Sequence, residues 1–274
     1  MRTTLKTRQY LVGYFLPVIS LVIVLIYSIA WFSIIPYAGF DFDPNTGVVK
    51  DVFVNSDPET GIRKGDHLLQ VGPVVFADYQ KSLTLPLFEG VKAGDVVPLV
   101  LGRNGVEVRV NWRFPGYNAP EFRDRLFDTW LLAYVFWFFG LATLVLVRPK
   151  DTQWSLLAAF CFLIAIWIIA GNDSMWKVWR SAFVSRSAVW LLVPVYLHLQ
   201  WVTPKPLSKI PKVILWPGYL VAAGFAVAEW FLVLSKETYV LGFLVAIVGG
   251  LVLLLLHLVQ GLSFLTSPPH PLCL

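Results

Sequence analysis

The chain has 274 residues, 57% of them hydrophobic and only 14% charged, with 12 tryptophans, a mean hydropathy of +0.67 and a formal net charge of +5. Such a composition excludes an ordinary soluble protein, because several apolar runs reach bilayer-crossing length. The basic residues cluster at the ends of those runs and not along one soluble face, which argues against nucleic acid as a partner and for the lipid bilayer.

The first apolar run, residues 11–35, follows Arg2, Lys6 and Arg8 in a basic segment of residues 1–10. A secretory signal core is about 7–15 residues. This run is longer, and Ser28 and Ala30 make only a weak cleavage site, so the expectation is an uncleaved transmembrane anchor with a cytoplasmic amino terminus.

Residues 37–117 change character to short alternating runs separated by turn residues. Gly47–Val54, His67–Val71, Val96–Leu101 and Val106–Trp112 read as strands, and the Asn104-Gly105 pair between the last two supplies the positive backbone dihedrals of a tight hairpin. Phe76–Leu87 reads as a helix that Pro86 ends or kinks.

Five more apolar runs occupy residues 127–262: Thr129–Val147, Trp154–Ala170, Phe183–Val202, Val213–Leu234 and Tyr239–Leu262. Each approaches the length a helix needs to cross about 30 Å of hydrocarbon, which with the anchor predicts six spans. The short loops on the amino-terminal side collect Arg2, Lys6, Arg8, Arg148, Lys150, Lys205, Lys209 and Lys212, against Lys177, Arg180, Arg186 and Lys236 on the other. By the positive-inside bias, residues 37–117 face outward and the protein sits in the cell membrane. Trp31, Trp130, Trp154, Trp201, Trp216 and Trp230 fall near span ends, where an indole favours the headgroup region.

The stretch Gly61-Ile62-Arg63-Lys64-Gly65-Asp66-His67-Leu68-Leu69-Gln70-Val71, followed by Lys92-Ala93-Gly94-Asp95 and the hairpin to Gly105, resembles a PDZ domain. That resemblance implies an α+β domain of short antiparallel strands, in which a peptide adds to a sheet edge and a short loop's amides hold its carboxylate. Tyr37-Ala38-Gly39-Phe40 stands at the loop position. The groove then runs along Phe40-Asp41-Phe42-Asp43 on the strand side and Tyr79, Leu83 and Leu87 on the helix side. Val71-Gly72-Pro73 departs from the family's Val-Asn-Gly.

Anchor, outer domain and multi-span region together resemble the sensory half of bacterial sensor histidine kinases related to the competence-pheromone receptor kinases. The supporting segments are Arg148-Pro149-Lys150-Asp151 and His198-Leu199-Gln200-Trp201-Val202-Thr203-Pro204-Lys205-Pro206. The resemblance implies a kinase or response-regulator partner. Residues 263–274, a short proline-rich tail, hold no kinase, so a truncated sensor or a separate output chain is expected.

The four histidines form no His-Glu-x-x-His, and no serine and histidine make a recognisable nucleophile motif. The expectation is therefore a non-enzymatic chain. Cys161 and Cys273 fit no disulfide, zinc or redox pattern. His198 and His257 fall at one predicted depth, as two haem ligands would, but nothing else marks a haem pocket, and no cofactor or metal is expected. Asp128, His198, Glu229 and His257 are the intramembrane polar candidates, with Asn172 and Asp173 near the same outer face as Asp128. The reading is a membrane sensor that binds a peptide or other outside signal. The alternative is a membrane protein of the intramembrane-protease or quality-control type lacking its catalytic motif.

Overall fold

The computed structural model describes residues 11–54, 61–207, 212–235 and 237–266. The expected cytoplasmic segment 1–10 and most of the expected tail 263–274 lie outside the described residues. The fold is mostly helical with small antiparallel sheets.

In chain order, helix α1 (Leu16–Ile29) is extended by π-helical turns at Leu11–Phe15 and Ala30–Ile34. Strands β1 (Phe40–Phe42), β2 (Val49–Val52), β3 (His67–Val71) and β4 (Val74–Val75) precede helix α2 (Phe76–Lys81). Strands β5 (Val96–Arg103) and β6 (Val106–Arg113) follow. Helices α3 (Ala119–Phe127), α4 (Trp130–Leu146), α5 (Thr152–Ser174), α6 (Ser181–Val202), α7 (Lys212–Trp230) and α8 (Thr238–Thr266) complete the chain.

Five helices among the described residues are long and apolar enough to cross a membrane: Gly13–Ile34, Ala119–Leu146, Thr152–Ser174, Val178–Val202 and Thr238–Gln260. The sixth expected span corresponds to α7, which is not among the five. It ends at Trp230, short of the expected Leu234, where Leu232 takes a left-handed backbone (φ 55°).

Two compact units divide the described residues, one comprising Ile19–Val135 and Ala165–Ser185, the other the remainder. In the first, β1 and β2 pair antiparallel, and β4-β3-β5-β6 form an antiparallel sheet. A bridge between Val48 and His67 links the two sheets. The expected hairpin is present, with Arg103 opposite Val106 and positive φ at both Asn104 (51°) and Gly105 (80°), the signature of a two-residue primed turn. Strand β1 lies where the PDZ resemblance put the strand side of the groove, and the two-residue β4, paired with β3, is additional to the expected strands. Helix α2 is shorter than Phe76–Leu87 because Ser82 leaves the helix and its Oγ accepts from the amides of Thr84 (3.1 Å) and Leu85 (2.9 Å). That local turn competes with helix continuation.

The core of this β module is aromatic: Phe40, Phe42, Phe76, Tyr79, Phe88, Trp112 and Phe114 pack with Ile62, Leu68, Leu99 and Leu101. Asp66, 2% exposed, receives Arg103 Nε and Nη2 (2.8 and 2.7 Å) and the Arg63 amide (2.8 Å), closing the loop that carries the Gly-Asp turn. Although burial opposes ionisation, these donors together hold the Asp66 carboxyl below its ordinary range.

In the second unit, Trp154, Ala158, Phe162 and Leu144 make one cluster, and Leu156, Leu163 and Val195 another. Gly140 lies against the Phe162 ring and Gly249 against Leu197, where an added Cβ would sit at 2.8 and 2.7 Å. Small residues let helices approach this closely. An apolar cavity of about 670 Å³ is lined by Pro194 and Pro217, which lie inside α6 and α7.

Candidate functional site

The segment after the first span is shaped by one glycine. Gly39 has φ +79°, a conformation that L side chains rarely adopt, and a Cβ there would meet Pro115 Cγ at 2.8 Å. With Trp112 Nε1 donating to the Ala38 carbonyl at 2.7 Å, the turn presents two consecutive amides to one side. Consecutive amides in such a turn form a concave nest for an anion.

The nest is filled from within the chain. Ala38 N and Gly39 N donate to Glu121 Oε1 and Oε2 at 3.2 and 2.9 Å. Asn118 Nδ2 donates to Oε2 (2.9 Å) and Arg125 Nη2 to Oε1 (2.7 Å), so four donors converge on a carboxylate only 3% exposed. Asn118 also caps α3, its side chain accepting from the Glu121 amide at 2.9 Å.

Arg125 carries the arrangement toward the first span. Its guanidinium donates to the carbonyls of Trp31 (2.8 Å), Ile35 (3.2 Å) and Pro36 (2.7 Å) and stacks over the Tyr37 ring at 4.2 Å. These carbonyls belong to a helix end, where backbone acceptors lack partners within the helix.

The expected groove residues are brought together, but not around an open groove. Ala38, Phe40, Phe42, Tyr79 and Leu87 are at most 6% exposed and lie in the module's core. Gly39 is buried and Tyr37 half-buried. Leu83 packs against Ala182 and Phe183. Between strand and helix sits the segment after α5: Tyr79 OH donates to the Met175 carbonyl at 2.5 Å, and the Trp176 ring lies 6.0 Å from Phe42 and 5.5 Å from Phe88.

An open space does flank β1, bordered by the same Met175 and Trp176. A cavity of about 350 Å³ is lined by all of β1, by Glu121, Asp124, Arg125 and Asp128, and by Trp31, Met175 and Trp176. Burial holds the Asp41 carboxyl above its ordinary value, opposed by Lys50 and the Phe42 amide and reinforced by the nearby Asp124 and Asp128 carboxylates. Among the described residues β1 has a hydrogen-bonded strand neighbour on one side only, β2.

The remaining polar candidates separate. Asp128 is exposed and accepts from the Thr129 amide at 2.6 Å, and Thr129 Oγ1 donates to Asn172 Oδ1 at 2.8 Å. Asp173 and Ser181 are fully buried with no hydrogen-bond partner for their side-chain oxygens among the described residues. In the second unit, Glu229, 1% exposed, accepts from Trp190 Nε1 at 3.0 Å and Arg186 Nη1 at 3.4 Å, while Arg186 stacks on Tyr239 at 4.6 Å. His198 Nδ1 pairs with Tyr219 OH at 3.1 Å, and His257 Nε2 with the Gln200 carbonyl at 2.8 Å.

Glu121 and Arg125 were not singled out by the sequence reading, though Asn118-Ala119-Pro120-Glu121 is a helix-start pattern with an acid at the third helical position. Comparison with family models, with curated proteins and with solved structures finds no match to this chain.

Proposed function

We propose that this chain is a membrane sensor module whose β module faces outward and takes an extended peptide segment along β1. The supporting observation is the 350 Å³ cavity, which runs the length of β1 and is walled by α3, the helix leading into the stretch Ala119–Leu146. An occupant touches the strand and the start of a span at once. Ligand binding shifts a conformational equilibrium only through such differential contacts. The walls combine Phe40, Phe42, Trp31 and Trp176 with Asp41, Asp124 and Asp128, a lining suited to an aromatic or basic side chain.

In this reading the module is PDZ-like, six spans cross the cell membrane, and the signal passes through the helical bundle to a kinase or regulator chain. The test is affinity selection of a random peptide library on the full chain in lipid nanodiscs. Peptides are enriched, and Asp124→Trp, which fills the cavity, removes their binding while Glu107→Trp on the hairpin preserves it. No enrichment, or binding indifferent to Asp124→Trp, would refute the reading.

A further inference from the structure

We infer that the Ala38–Gly39 turn is a carboxylate-binding site whose resident ligand is Glu121, so that any outside partner of the module is recognised by its strand edge and side chains and not by a chain-terminal carboxylate. The inference deepens the recognition reading above and rests on it for the class of partner.

Three observations carry it. Glu121 sits at the third position of α3, where an acid ordinarily turns back to the amide that starts its own helix. Here the carboxylate reaches Ala38 N and Gly39 N instead, more than eighty positions earlier in sequence. The turn is built for that contact, since Gly39 holds φ +79° with Pro115 pressed against it and Trp112 ties down the Ala38 carbonyl. The remaining carboxylate capacity is taken by Asn118 and Arg125, which leaves no lone pair facing an unpaired neighbour.

Competition follows from tethering. A group held in the same chain acts at an effective concentration of about millimolar or above for flexible links. Glu121 is held on a capped helix by Arg125, so a free carboxylate in solution meets a site already taken. The neighbouring groove is taken as well, by Met175 and Trp176 against Tyr79 and Phe42. What stays accessible is the β1 cavity beside Arg125, where an internal stretch of polypeptide fits without supplying an anion.

The experiment uses the full chain in nanodiscs with sodium acetate as the probe and sodium chloride as the control. Glu121→Ala empties the turn, and the variant gains thermal stability in acetate relative to chloride at equal ionic strength, because two amides and a guanidinium donate charge-assisted hydrogen bonds to the carboxylate. Wild type and Glu121→Gln, which fills the turn with a neutral side chain, respond equally to both salts. N-acetyl-Val-Val with a free carboxylate stabilises Glu121→Ala more than its amide does, and neither affects wild type. If Glu121→Ala folds only in acetate, the inference stands. If it is unfolded in both salts, or folds with no acetate preference, or if wild type shows the same preference, the inference is overturned. The recognition reading fails separately, through absence of peptide binding to wild type.

Discussion

Removal of the Arg125 guanidinium tests how the β module is joined to the first and second spans. Arg125→Met keeps the stem but deletes the stacking on Tyr37 and four hydrogen bonds, to the carbonyls of Trp31, Ile35 and Pro36 and to Glu121 Oε1. Both partners of the ion pair are buried, at 5% and 3% exposure. Deleting one member of a buried pair costs about 3–5 kcal/mol because the survivor stays desolvated without its countercharge. For a bare ion pair, replacing both members by apolar groups would recover nearly all of that. Here it does not, because Arg125→Met with Glu121→Leu strips donors from three carbonyls and acceptors from two amides, each costing about 1–3 kcal/mol if left buried and unpaired. The assay is protection of the β module from proteolysis as a function of urea, in nanodiscs. The single and double variants both unfold at clearly lower urea than wild type, and Arg123→Met, exposed on the same helix, stays within about 0.5 kcal/mol. A double variant as stable as wild type would show that Arg125 and Glu121 serve only each other.

Further predictions concern single groups. Glu229→Leu removes the carboxylate that faces the buried Arg186 guanidinium, lowering the melting temperature by an amount corresponding to about 3–5 kcal/mol, and adding Arg186→Met restores part of it. Gly39→Ala combines positive φ with a 2.8 Å approach to Pro115 and destabilises the module by about 1–3 kcal/mol, read by the same proteolysis. Asp41→Asn stabilises the module at pH 7, because the folded carboxyl is held above its ordinary value and ionising it is unfavourable. That gain fades as pH falls through the raised folded value and is gone below the unfolded value of about 3.9, where the carboxyl is neutral in both the folded and unfolded states. Asp66 behaves oppositely: its folded value is lowered, so its pairing with Arg103 stabilises above about pH 3.9 and is lost as pH falls through the folded value. Arg103→Met removes that acid-sensitive contribution, as pH-dependent melting would show.

Much of the fold could be read from local pattern. Asn104-Gly105 announced the β5–β6 hairpin because Asn and Gly both accept the positive φ angles of a two-residue primed turn. The ends of α5 and α6 lie within a few residues of the expected runs, since apolar length is a property of the segment itself. Strand β1 is marked by the resemblance and not by local alternation, being three residues long and paired with β2 across a bulge at Asp41 and Phe42. Helix α2 stopped early through a serine hydroxyl, a contact that composition does not reveal.

The candidate site was legible in part. Gly39 and its neighbours stand, by resemblance, at the loop that holds a peptide's carboxylate, whereas the carboxylate on its two amides belongs to the chain itself. That the carboxylate comes from Glu121 depends on a contact across more than eighty residues, which no window of sequence encodes. The same holds for Met175 and Trp176, which fill the side of the module where the resemblance implied a groove. Glu229 stood out as an acid inside an apolar run, whereas its partner Arg186 had been counted only as a loop charge.

Every functional step above requires the β module to face the outside. The most direct test is cysteine labelling of intact cells with a membrane-impermeant maleimide, in a chain whose own Cys161 and Cys273 are replaced by serine. Asn104→Cys at the hairpin tip labels without permeabilisation, and Lys150→Cys, between α4 and α5, labels only after it. The opposite pattern would contradict an outward recognition module and remove the basis for an external ligand.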